Sequence, residues 1–106
     1  MHEKEILAIH KFIDDSLFKP EYNWPEHHFN ERSYSRWAAN EILTLITNYD
    51  LISPISVVSD FINKMDAFLD MREGTEHEII YSIARDMGYD ILDVLILLEF
   101  ENGGVL

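Results

Sequence analysis

Asp90-Ile-Leu-Asp93 opens the apolar run that ends at Phe100. On a helix, acids at i and i+3 share one face. Hard divalent cations take several oxygen ligands, so such a pair can contribute to a magnesium site when a neighbouring helix supplies further carboxylates. Asp66 and Asp70, at i and i+4, are the acids that could complete it. A wider set, Asp60, Asp66, Asp70, Glu73, Glu76 and Glu78, lies in the same part of the chain. Acids at helical spacing present negative charge to a basic protein partner, or imitate a phosphate row. The histidines, His2, His10, His27, His28 and His77, lack a metal-ligand spacing of the HExxH kind. The serines sit in no nucleophile elbow, and no glycine-rich loop cradles a phosphate. Without cysteine there is no thiolate, disulfide or Cys-type zinc chemistry. No motif calls for a cofactor.

Asp90-Ile-Leu-Asp93 followed by VLILLEF resembles the second half of the motif in all-α nucleoside triphosphate pyrophosphohydrolases of the MazG type. The resemblance covers about ten residues. It implies magnesium held against a triphosphate by an ExxE pair on one helix and an ExxD pair on the next. Here position 90 is Asp, and the upstream ExxE is Glu73-Gly-Thr-Glu76, across a turn. The other reading of Asp90 and Asp93 is a helix N-cap and a first-turn acid that answers the helix dipole. RSYSRWAANE and PISVVSDFINKM resemble stretches in short proteins of bacterial and prophage type, from which no function follows.

Charge narrows the partners. Twenty acids against eight bases give −12, with eight acids and five bases in residues 1–49 and twelve and three in residues 50–106. Such a surface repels nucleic-acid backbones and anionic membranes, which need clustered Lys and Arg. It suits a basic protein partner. No apolar run approaches the roughly 20 residues that span a bilayer. The N-terminus is charged from its third residue, unlike a signal peptide. We therefore expect a cytoplasmic protein.

The elements that must position these acids read as helices. Residues 1–106 make one all-α domain, a single compact bundle of four to five helices. Ile6, Ile9, Ile13 and Leu17 mark the first, over 1–19, which Pro20 ends. Residues 20–30, PEYNWPEHHFN, form an aromatic and histidine-rich loop. The second helix covers 31–49. Ser53-Pro54 starts the third, over 53–71, because proline suits the first helical position. Gly74 and the Thr75…Glu78 capping box introduce a fourth over 75–87. Gly88 ends it, Asp90 caps a fifth over 90–100, and 101–106 frays. The expected core holds Trp37, Ile42, Leu45, Val58, Phe61, Ile62, Met65, Ile80, Ile83, Val94, Leu95 and Leu98, with helices two, three and five at the centre.

Two short helices meeting at Gly88 invite comparison with a helix-turn-helix, since Ala84, Gly88, Val94 and Leu97 match its spacing. The second helix offers Asp90, Asp93 and Glu99 where base readers carry Arg, Lys, Asn or Gln, so DNA binding does not follow. Apolar residues surround much of that helix, which implies a central position or a shared one. We therefore expect a homodimer or a complex that uses it. The sequence reads best as a non-enzymatic protein–protein interaction or regulatory module with an acidic surface. The alternatives are the magnesium-dependent pyrophosphohydrolase and a structural domain with no site.

Overall fold

The computed structural model describes residues 2–17, 29–71 and 77–101, excluding the side chains of residues 16, 17 and 29–32. Four helices account for nearly all of them: α1 (Glu3–Leu17), α2 (Phe29–Asn48), α3 (Pro54–Met71) and α4 (His77–Glu101). No strand is present among the described residues. The protein is all-α. Most of the aromatic loop, the Thr75 capping box and the tail after Glu101 lie outside the described residues.

Each helix start has a local cause. The His2 carbonyl accepts the first backbone bond of α1, from Ile6 N at 3.0 Å. Glu3 and Glu5 follow in the first turn, where negative charge faces the positive helix end. His2 also has a positive φ of 58°. From that position its ring donates through Nε2 to the Asp50 carbonyl oxygen at 2.7 Å, tying the start of α1 to the α2–α3 turn. Pro54 is the first residue of α3, and the Ser53 carbonyl accepts from Val57 N at 3.0 Å. Proline has no N–H to leave unpaired there.

The last helix corrects the sequence reading. There is no break at Gly88: α4 runs unbroken through it for 25 residues. The expected fourth and fifth helices are one, so there is no turn for a helix-turn-helix and no helix start for Asp90 to cap. The physical reason lies on α3. A Cβ built on Gly88 would stand 2.7 Å from Ile62 Cγ1 and 3.5 Å from Phe61 Cδ1. Gly88 is where α3 passes too close for any side chain. Ala84, one turn earlier, is also buried and small.

α4 is the hub. It touches α1, α2 and α3, while α1 touches α2 and α2 touches α3. The thinnest extent of the chain is 21 Å, about two helix diameters. Ile62 meets Gly88 and Asp66 meets Arg85, so α4 runs antiparallel to α3. The core is wholly apolar among the described residues and draws on all four helices. Ile9 and Ile13 come from α1, and Ala38, Ala39, Ile42, Leu43 and Ile46 from α2. Val57, Val58, Phe61, Ile62 and Met65 come from α3, and Ala84, Met87, Ile91 and Leu95 from α4.

Several expected core residues sit elsewhere. Trp37 is 43% exposed, because the inner face of α2 is held by Ala38 and Ala39. Leu45, Ile80, Ile83, Val94 and Leu98 are half-buried. Like α4, α2 touches each of the other three helices, and it supplies five of the core residues.

Candidate functional site

The acids singled out in the sequence separate into distinct places. Asp66 is on α3 and faces Arg85 of α4, with Arg85 Nη1 donating to Asp66 Oδ1 at 3.3 Å. Arg85 also reaches Asp86 at 3.7 Å. Both partners of the interhelical pair are part-exposed, so its worth is at most about 1 kcal/mol. Its structural effect is to neutralise Arg85 beside the acids that follow.

One turn beyond Asp66, Asp70 lines an open cleft of about 530 Å³ between α3 and α4. Glu78 lines the same cleft from the first turn of α4. Leu69, Ile79 and Ile83 add apolar surface, and Ser82 and Arg85 complete the wall. Nearby, Tyr81 packs on Phe68 with ring centroids 5.1 Å apart, and His77 stacks on Tyr81 at 6.3 Å. The Phe68–Tyr81 contact joins the end of α3 to the start of α4 beside the cleft, while the His77–Tyr81 stack lies within α4.

Asp60 is not part of that cleft. It lines a second groove, about 310 Å³, with Lys64 and the apolar side chains of Leu45, Tyr49, Ile52, Val57 and Phe61. Glu73 and Glu76 lie outside the described residues. Of the described acids in the sequence patch, Asp70 and Glu78 line one cleft, Asp66 is held beside it by Arg85, and Asp60 lines the other groove.

Asp90 and Asp93 lie on the solvent side of α4. Partial desolvation raises the Asp90 carboxyl above its ordinary pKa, and the negative charges of Asp93 and Asp86 push it further the same way. Crowded carboxylates are what a divalent cation uses, provided a neighbouring helix adds its own. Among the described residues, no three His, Asp or Glu side chains are placed to hold a metal ion. The convergence of Asp90 and Asp93 with Asp66 and Asp70 required for magnesium is therefore not found among the described residues. His27 and His28 lie outside them, and His10 is exposed.

The crowding has a measurable consequence. A raised native pKa means that the folded state prefers the protonated form. The resulting stability is present below the unfolded aspartate pKa of about 3.9 and is lost as pH rises through the native value. Asp90→Asn is therefore expected to stabilise the fold at pH 7, by about 0.5 kcal/mol from two relieved like-charge pairs. The gain should vanish below the ordinary aspartate pKa. Urea denaturation at the two pH values checks this, and an equal gain at both would remove the electrostatic cause.

Sequence reasoning missed the cleft walls. Arg85 carried a usable signal, since residues 50–106 hold three bases among twelve acids and each is expected to find an acid. Leu69, Ile79 and Ile83 carried none, because an apolar side chain at helical spacing reads as core whichever opening it lines.

No family model, no curated protein and no solved structure matches this chain. No helix among the described residues is long and apolar enough to cross a membrane.

Proposed function

We propose that this chain is a non-enzymatic protein–protein interaction or regulatory module that takes a basic side chain of its partner in the α3–α4 cleft. The observation that carries the reading is the cleft itself. It brings Asp70 and Glu78 from different helices to one opening that Leu69, Ile79 and Ile83 make apolar. Lysine and arginine carry an aliphatic stem and a cationic head, and bury the one while keeping the other polar. A wall of that composition matches both parts. The net charge of −12 adds long-range attraction for a basic partner and speeds encounter. Arg85 does not oppose it, because Asp66 and Asp86 lie against its guanidinium.

The test is an amide NMR titration of the whole chain with a short oligolysine peptide. Shifts are expected to saturate and to centre on Asp70, Glu78, Ile79 and Ser82. The Asp70→Asn/Glu78→Gln variant should weaken binding at least tenfold. Asp60→Asn, in the other groove, should leave it unchanged. Binding should also fall steeply as salt rises, since the contact is between part-exposed charges. Diffuse shifts over every acid, or equal weakening by Asp60→Asn, would reduce the acidic surface to a solvated one and sink the reading.

A further inference from the structure

Of the residues that line the α3–α4 cleft, Arg85 alone carries a positive charge, against the acids Asp70 and Glu78. A cleft that takes the head of a lysine or arginine must not hold its own cation on those acids. Among the described residues Asp70 forms no ion pair, although Arg85 stands on the same wall. The guanidinium goes to Asp66 instead, where Nη1 donates to Oδ1 at 3.3 Å, and its Nε lies 3.7 Å from Asp86 Oδ1. Neither Asp66 nor Asp86 lines the cleft.

The spacing of the acids makes this choice a close one. Asp66 and Asp70 are four residues apart on α3, so they share a face. The step between them is one helical turn, about 5.4 Å, within the reach of a long arginine side chain. Side-chain exposures of 33% for Arg85 and 45% for Asp66 leave both able to turn. An ion pair between such part-exposed groups is weak. Asp86 follows Arg85 directly in the chain and makes the longer of its two contacts. The position of the guanidinium therefore depends mainly on one carboxylate.

We infer that Asp66 is the positioning residue of this cleft: it holds Arg85 off Asp70 and so leaves the acidic pair to a partner's cation. This deepens the proposed function and rests on it. Without the Asp66 charge, Arg85 swings one turn along α3 to Asp70. A cation tethered to the cleft wall competes with every incoming one at a high effective concentration, on the order of millimolar. Asp66 itself meets no partner and acts through Arg85 alone.

Two measurements on the full chain test this. The first needs no ligand and follows the NMR signal of the Arg85 Nε–H group. In the native protein Asp70→Asn should leave that signal in place. In the Asp66→Asn background the same change should move it, because the guanidinium has then gone to Asp70. The second is titration with the oligolysine peptide. Asp66→Asn should weaken binding about fivefold, as far as one part-exposed pair between Arg85 and Asp70 can compete. Asp60→Asn removes the same charge from the other groove and should change nothing. The combined D66N/R85Q variant loses one charge of each sign, keeps the native net charge and should bind as the native chain does. A merely structural role for the ion pair would leave the combined variant as impaired as D66N, and that result overturns the inference. So does an Arg85 signal indifferent to Asp70 in both backgrounds. Binding by Asp66→Asn that matches Asp60→Asn overturns it too, while the cleft reading stands. A native chain that does not bind oligolysine in the cleft sinks the cleft reading and the inference with it.

Discussion

Gly88→Ala is expected to destabilise the protein by about 1 kcal/mol, against the intrinsic preference of the helix. In the middle of a helix, alanine is better than glycine by about 1 kcal/mol. Here the new methyl group would stand 2.7 Å from Ile62 Cγ1, inside van der Waals contact. That atom is no flexible tip. It is bonded to the branched Cβ of a side chain that is 4% exposed and stiff at χ1. Relief therefore needs α3 to move as a whole, and forcing atoms into a packed core costs about 1–3 kcal/mol. The steric cost exceeds the propensity gain. Gly88→Leu adds three further carbons at the same crossing and should cost on the order of 3 kcal/mol or more, which is a large share of a small domain's stability. Urea denaturation of the two variants measures this. The Ile62→Ala background locates the cause: G88A/I62A should lose less than the two single variants together, by roughly 1 kcal/mol of coupling between touching residues. A stabilised Gly88→Ala would mean that α3 yields freely and that the glycine serves no close approach.

Gly88 also explains where the sequence was legible. The inner face of α3 could be read because its cause is local. Ser53-Pro54 starts the helix, and Val58, Phe61, Ile62 and Met65 recur at three and four residues and are buried. Gly88 could not be read, because a glycine inside an apolar pattern means either a stop or a close approach. The difference is decided by Ile62, 26 residues earlier in the chain. The expected caps at Asp90 and Asp93 fell with the stop, which removed the structural explanation for both acids and left mutual repulsion in its place. Trp37 is a different kind of miss. It lies five residues before Ile42, about 1.4 helical turns, and so nearly opposite the side that Ile42 buries. The apolar stripe assigned to α2 was drawn too wide. The described acids of the patch divide by the same geometry. Asp66 and Asp70 are one turn apart, but Asp60 is six residues from Asp66 and belongs to another side of α3. The partnership of Asp70 with Glu78 joins the end of one helix to the start of the next, and only their antiparallel packing creates it.

Ile91→Ala is expected to be the most damaging truncation of α4, at about 4 kcal/mol, while Leu97→Ala on the same helix should cost less than about 0.5 kcal/mol. Ile91 is 0% exposed and belongs to the continuous core of all four helices. Large-to-small substitutions lose the transfer energy of the removed atoms and add the cost of the cavity that remains. The cavity stays open when the surroundings cannot relax, and α4 is hemmed in by α1, α2 and α3 together. Each of those helices is held by contacts elsewhere, so none is free to settle into the space. Leu97 is 61% exposed and its methyl groups leave little water-free surface behind. Denaturation midpoints for both variants at low protein concentration measure the contrast. Equal losses would mean that Ile91 is not set among three helices as described.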